Sequence, residues 1–464
     1  MLRKWQIECI DLVEKKFAEG RKEFLCVATP GAGKTVFSAV ASQRLINKKK
    51  VEFVLCLTPS IAVMRGVQDK YEEILQKPLD GKFGSIGLCM TYQSFQYAYQ
   101  NLAERLSGVK VLLVLDEIHH CAGINEIKAS AWARPLLYLI EKVKPYVLSL
   151  SGTPFRSDMQ PITTLKYDGS LVKPDYIYGL QEATRDDVCR SPVIYLIDNT
   201  KWRLTQRGEV ISEHNCLSSL LEQEQIAYQR ILEDRQFMTH MLSNAEERLK
   251  EGRRLRLDQG GLVVASSINH ARQITQILYT LTNEQPTLVT SDDPDCHSKL
   301  IKFKNGTSKW LVSVGMVSEG TDIPRLQVCC YLSRIRTELH FRQVLGRILR
   351  VRNNETESVA ELIIPAHFEL LMFAKRLSEE IPESADLIKY CKFDITKPET
   401  NDLVNDSKKQ ISLELDTLYE KGNELQVNPV NPAEDFISAR KHKMADTNVG
   451  VYGLYIEEVM RYCQ

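Results

Sequence analysis

Three short stretches of this chain carry residue types that handle phosphate. The first is Ala28-Thr29-Pro30-Gly31-Ala32-Gly33-Lys34-Thr35. Glycines let the backbone turn its amides inward around an anion. Lys34 would reach β- and γ-phosphates, and the Thr35 hydroxyl would hold Mg²⁺. Ala28 stands where the general G-x-x-x-x-G-K-[ST] spacing has its first glycine. The second stretch is Asp116-Glu117-Ile118-His119-His120. Adjacent carboxylates at the end of an apolar run need a cation to meet them. Mg²⁺ would serve, with Asp116 reaching it through water and Glu117 polarising an attacking water as general base. The third is Gln343-x-x-Gly346-Arg347-x-x-Arg350, which on a helix shares one face at i, i+3, i+4 and i+7. Two permanently charged guanidiniums one turn apart suit a polyanion, and Gly346 would let another backbone come close.

The pattern around these residues supplies the elements that would hold them. A strand over Phe24 to Ala28 leads into the glycine-rich turn, and an apolar period over Val36 to Ile46 predicts a helix opening at Thr35. That helix N-terminus adds free N–H groups and a positive dipole end. A first helix runs through Phe17 and carries Gln6, whose amide could donate and accept together on an adenine edge. Apolar strands over Val51 to Leu57, Ser85 to Met90, Val109 to Leu115 and Tyr146 to Leu150 each end in a polar loop. In an open α/β sheet such strand ends are where ligands gather. They make candidates of Pro59, of Tyr92 and Ser94, and of Ser151 and Thr153, whose hydroxyls could link the metal site to a second ligand.

Residues 155 to 195 lose periodicity and read as a junction. Beyond it, a long charged helical stretch is expected over 217 to 256, then strands over Gly261 to Ser266, Pro286 to Thr290, Trp310 to Val314 and Leu326 to Leu332. Val344, Leu345, Ile348 and Leu349 fill the other faces of the arginine-bearing helix, so it should be buried with its arginines facing a defined partner. The second half has no phosphate loop of its own. Its arginines therefore complement the first half, with two α/β units closing over one nucleotide.

Composition narrows the class. With 464 residues, two to three domains are expected. Sixty Lys plus Arg balance sixty Asp plus Glu, so any basic groove is local. The twelve cysteines include no C-x-x-C and several sit in apolar strands (Cys26, Cys56, Cys330), which argues against a zinc or iron–sulfur site and for reduced thiols in a cytoplasm. No apolar run is long enough to span a bilayer.

Taken in order, these motifs resemble those of superfamily 2 helicases and translocases of the DExH group, across about residues 1 to 366. Gln6 matches the glutamine motif, Ala28 to Thr35 motif I, Asp116 to His119 motif II, and Ser151 to Pro154 motif III. Thr58-Pro59-Ser60 and Thr91 to Ser94 are similar to the strand-contact motifs, and Val264 to Ser267 to motif IV. Ser318 to Pro324 resembles motif V, which would bring Gly320 and Asp322 to the nucleotide, and Gln343 to Arg350 is similar to motif VI. The resemblance implies an α/β fold of two tandem RecA-like parallel-sheet domains, with residues 1–190 and 191–366, and a small, mainly helical extension over 367–464. It implies ATP and Mg²⁺ in the cleft, catalytic roles for Asp116, Glu117, Gln343, Arg347 and Arg350, and coupling through His119, Ser151 and Thr153. Nucleic acid would cross both domains near Pro59, Tyr92, Ser94 and Ser267.

The His119 form of motif II and the Ser-Gly-Thr-Pro form of motif III resemble DNA translocases of the restriction and repair type. Three readings stay open: a DNA helicase or translocase, a DExH RNA helicase, and a nucleotide-gated clamp that unwinds nothing. No nuclease constellation of paired acids with a nearby lysine is found, so cleavage in a restriction or defence system would fall to a partner protein.

Overall fold

The computed structural model describes residues 2–121, 132–152, 162–168, 171–206, 209–224, 226–315, 323–352, 359–379 and 447–461. The chain opens with α1 (Lys4–Ala18), then alternates β1 (Glu23–Ala28), α2 (Lys34–Asn47), β2 (Phe53–Thr58), α3 (Ile61–Leu75), β3 (Gly87–Thr91), α4 (Tyr92–Arg105), β4 (Val111–Asp116), α5 (Ala133–Val143) and β5 (Tyr146–Ser151). A short hairpin, β6 (Tyr167–Asp168) and β7 (Leu171–Val172), precedes β8 (Tyr176–Tyr178) and α6 (Leu180–Arg185).

Six strands form a parallel sheet in the order β3-β2-β4-β5-β1-β8. Its strands are apolar on both faces, as a sheet covered by helices on both sides requires. Cys26, Cys56, Val114 and Leu148 face a cluster with Trp5, Val13 and Phe37. Their neighbours Leu25, Leu55, Leu113 and Val147 face a second cluster with Phe95, Leu136 and Leu139. Ser60 and Thr91 cap α3 and α4 by accepting from the amides of Val63 and Ser94.

The second sheet begins inside the stretch over 155 to 195 that reads as a junction. β9 (Ser191–Asn199) is buried along its whole length. After it come β10 (Trp202–Gln206), β11 (Glu209–His214), α7 (Leu217–Gln223), α8 (Tyr228–Leu232), α9 (Arg235–Leu255), β12 (Gly260–Ala265), α10 (Ile268–Thr282), β13 (Thr287–Val289), α11 (Cys296–Asn305), β14 (Trp310–Val314), β15 (Leu326–Leu332), α12 (Glu338–Ile348), β16 (Val359–Pro365), α13 (Phe368–Glu379), β17 (Thr447–Val451) and β18 (Tyr455–Arg461). The order is β13-β14-β12-β15-β16-β9-β18, parallel except for β18, which runs antiparallel to β9. A small antiparallel sheet, β11-β10-β17, stands beside it.

Three expectations are corrected here. The helical stretch over 217 to 256 is divided into three helices, because Glu224 and Ala227 take extended backbone and Asp234 caps α9 through the Phe237 amide. That break lets Leu217, Leu220, Ile231 and Leu232 all reach the cluster built around Phe237 and Met241. The end of the extension expected to be mainly helical is instead β17 and β18. Gly450 and Gly453 weaken a helix there, and two unpaired sheet edges offer ladder hydrogen bonds. The described part of 367–464 is therefore one helix and two strands, and its strands complete sheets begun 250 residues earlier. One hydrophobic cluster runs from the α1–α3 side of the first sheet to the α12 side of the second, joining Phe37 and Ala32 to Val344, Leu345 and Ile348.

Candidate functional site at the phosphate loop

β1 delivers the chain to a turn that only glycine makes without strain. Gly31 and Gly33 have φ of +86° and +91°, and Gly33 is the left-handed N-cap of α2. Carbonyls on the outside of this turn are held from α1. Arg3 Nη1 donates to Gly31 O at 3.2 Å and to Ala32 O at 2.7 Å. Gln6 Nε2 donates to Gly33 O at 3.0 Å while its Oε1 accepts from the Arg3 amide. With these carbonyls turned out, the loop and the open amides of the first turn of α2 form a concave row of donors suited to a polyphosphate.

Gln6 is buried rather than solvated, and its amide engages the loop itself. Arg3 escaped the sequence reading. Its spacing of three residues before Gln6, at the N-cap of α1, was the available signal.

Lys34 Nζ lies 3.0 Å from Ala28 O and 3.5 Å from Glu117 Oε1. Glu117 sits just past β4 in the left-handed region, φ +50° and ψ +55°, a conformation that costs a non-glycine residue about 1–3 kcal/mol. Its Oε2 accepts from Ser151 Oγ and from the Gly152 amide, both at 3.5 Å. His119 Nδ1 is 3.2 Å from Ser151 Oγ and 3.4 Å from Glu117 Oε2. β5 lies between β1 and β4 in the sheet, so the ends of these strands bring Lys34, Glu117, His119 and Ser151 together.

Asp116 ends β4, its carbonyl accepting from Tyr92 Oη at 3.0 Å. No group of three or more His, Cys, Asp or Glu that could hold a metal occurs among the described residues. One hydroxyl (Thr35) and one carboxylate (Asp116) fit Mg²⁺, which keeps waters and takes phosphate oxygens as its other ligands. Thr153, Gly320 and Asp322 lie outside the described residues.

Tyr92 corrects the expected nucleic-acid contacts. It is fully buried and stacked on Trp132, with its hydroxyl spent on Asp116 O. Burial beside Asp116 and Glu117 pushes its phenol well above the usual range. Pro59, Ser94 and Ser267 do stand at strand ends, where α3, α4 and α10 begin. Ser94 is exposed, and Ser267 Oγ accepts from the His270 amide.

From the second sheet, α12 comes directly onto the loop. A β-carbon at Gly346 would meet Pro30 Cβ at 2.4 Å, and one at Gly31 would meet Arg350 Cγ at 3.3 Å. Arg347 is buried on α12 and Gln343 partly so. Arg350 is not on the helical face expected for it. The helix stops at Ile348, capped by Leu349, and Arg350 pairs with Cys189 in an antiparallel bridge. The Cys189 thiol donates to Pro30 O at 3.5 Å. Burial pushes that thiol up to about 12 against the opposing pull of Arg3, Arg350, Lys34 and Arg190. Arg3 and Lys34 from the first half and Arg350 from the second thus meet at one glycine-rich loop.

Residues 1–156 match the family described as "Type III restriction enzyme, res subunit". An uncharacterized protein of Mycobacterium leprae is 35% identical over 82% of this chain. The chain spans 64% of that relative's length. The DNA 3'-5' translocase XPB2 of Sulfurisphaera tokodaii is 23% identical over 76% of this chain and 80% of its own. The fold is shared with a fragment of a putative HsdR subunit of a type I restriction enzyme from Vibrio vulnificus, at a TM-score of 0.55 and 16% identity, covering 80% of this chain and 65% of that one. The fold is thus that of two tandem RecA-like parallel-sheet domains, and the chain resembles the superfamily 2 helicases and translocases. Within that class the chain resembles enzymes of restriction and repair.

Proposed function

We propose that this chain is an ATP-dependent DNA helicase or translocase that hydrolyses ATP between its two sheets and moves along the nucleic-acid backbone. The observation that carries the reading is the abutment of Arg350, from beyond α12, on Gly31 of the phosphate loop. One loop at the end of β1 holds a nucleotide, and a second unit brings arginines to it.

Lys34 and the amides of Gly31 and Gly33 would bind the phosphates, with the Ala32 amide, bonded to Thr29 O, holding the turn; Gln6 would offer the adenine the amide hydrogen not used on Gly33 O. Thr35 and Asp116 would hold Mg²⁺, which supplies charge neutralisation at the phosphates. Glu117 would take a proton from the attacking water. Arg347 and Arg350, with Gln343, stabilise charge that grows in the transition state. His119 would relay the state of the general base to Ser151, which also reaches Glu117 and opens the stretch similar to motif III. Gly320, Asp322 and Thr153 keep the roles that the resemblance implies.

We take residues 1–190 as the first unit and 191–366, joined by the strands at 447–461, as the second. DNA is preferred to RNA because the Sulfurisphaera relative is a DNA translocase. Cleavage, where required, is left to a partner. No described helix is long and apolar enough to cross a membrane, and buried free thiols such as Cys26 and Cys56 fit a cytoplasmic protein.

Measuring ATP hydrolysis with duplex DNA, single-stranded DNA and RNA tests this. Stimulation by DNA well above that by RNA is expected. Stimulation by RNA alone would favour the RNA helicase, and tight nucleotide binding without turnover the clamp.

A further inference from the structure

Arg190 has no part in the motifs, yet it is buried, with only 2% of its surface exposed. Nη1 donates to Leu326 O at 2.7 Å and to Ile348 O at 3.0 Å, and Nη2 to Pro324 O at 3.0 Å. Its backbone amide donates to Leu349 O at 2.8 Å. The last carbonyls of a helix have no partner within it. Ile348 and Leu349 supply two such carbonyls at the end of α12, and Arg190 takes both, with its positive charge at the negative end of the helix dipole. Pro324 and Leu326 flank the start of β15, so the same fork ties that strand to the end of α12.

The neighbouring residues join this cap to the nucleotide loop. Cys189, one residue before Arg190, bonds Pro30 O and bridges to Arg350, one residue after Leu349. The chain therefore leaves α12 in a direction fixed by Arg190, and that direction lays Arg350 against Gly31.

We infer that Arg190 is a positioning residue for hydrolysis: by capping α12 from outside, it sets where Arg350 meets the phosphate loop. This rests on the proposed role of Arg350. A planar fork is needed because the accepting carbonyls diverge from one buried point. A lysine keeps the charge but cannot meet them in one plane.

A double-mutant cycle with Arg190→Lys and Arg350→Ala tests it, reading ATP turnover with duplex DNA, affinity for a fluorescent ADP analogue, and thermal midpoint. Arg190→Lys should lower kcat between about tenfold and a hundredfold, as a misplacement near 1 Å can. KM and ADP affinity should stay within about twofold, because Lys34 and the loop remain. In the Arg350→Ala background the same change should cost little more. If Arg350→Ala itself leaves turnover intact, the arginine-finger reading falls. If Arg350→Ala is slow but Arg190→Lys multiplies the loss in full, Arg190 does not act through Arg350 and the inference is overturned. If Arg190→Lys does not fold, Arg190→Gln, which buries no ammonium, replaces it in the cycle. Failure of both to fold would make the residue structural and equally overturn the inference.

Discussion

Pro30 of the phosphate loop lies against Gly346 of α12 with no room between them for a methyl group. A β-carbon at 346 would stand 2.4 Å from Cβ and 2.8 Å from Cγ of the proline. Neither atom belongs to a flexible side-chain end, so the two sheets themselves must part. Gly346→Ala should cost about 1–3 kcal/mol through overpacking and lower ATP turnover at least about tenfold, while ADP binding changes less. Steady-state kinetics beside a nucleotide titration would show it. A variant as active as wild type would mean that turnover does not need this contact.

Lys34→Ala should abolish hydrolysis and weaken nucleotide binding, since no neighbour can bring an ammonium to the same phosphates. It also leaves Glu117 without the ion pair at 3.5 Å. Isothermal titration with ATP is the direct check, and near-normal turnover would remove the phosphate-loop assignment.

Glu117→Gln should still bind ATP and DNA but turn over at least about a hundredfold more slowly, the loss expected when a general base goes. The left-handed backbone gives a second result of opposite sign. Glu117→Gly should be inactive yet no less heat-stable than wild type, because glycine adopts that φ without cost. A large fall in its thermal midpoint would show that the carboxylate holds the fold rather than serving the chemistry.

Asp198 gives the fold a pH dependence. Burial raises its carboxyl to about 6, against hydrogen bonds from Trp202 and the amides of Asn199 and Leu217. A carboxyl that binds its proton more tightly when folded adds stability at low pH and loses it as pH rises from about 4 to about 6. The size is up to about 3 kcal/mol at neutral pH. Asp198→Asn keeps the accepting oxygen and cannot ionise, so its urea midpoint should be flatter over that window. An unchanged pH profile would contradict the burial argument.

DNA should bind through phosphates at the first turns of α3, α4 and α10, with affinity falling steeply with salt and little preference for sequence. Tyr92→Phe should leave anisotropy-measured affinity unchanged, because that ring is inside the protein. A marked loss in Tyr92→Phe would mean that its bond to Asp116 O shapes the DNA surface.

The strand ends and the loop were legible because local chemistry dictates them. Gly31 and Gly33 need positive φ, and apolar runs such as Val111 to Leu115 have no other use. β14 and β15 occupy the residues expected of them. Long-range competition hid the rest. Arg350 shares a helical spacing with Arg347, but Arg190 takes the carbonyls that would have continued the helix. Tyr92 reads as a polar loop residue, and only its packing on Trp132 turns it inward. Residues 450–462 have an apolar period that suits a helix, and the free edge of β9 decides otherwise. Arg190 acts on carbonyls, which leave no mark in a sequence.

The pairing of β18 with β9 also sets an order of events during synthesis. Asn199 and Gly453, bonded to each other, are 254 residues apart. At about 5–20 residues per second, the ribosome leaves the β9 edge waiting for tens of seconds after that strand emerges. Throughout that interval the nascent second unit presents an apolar strand with unpaired amides and carbonyls, a template for any other extended chain. A chaperone that shields strand edges should therefore raise the yield of folded protein, and the gain should vanish when a peptide spanning residues 447–461 is supplied during translation.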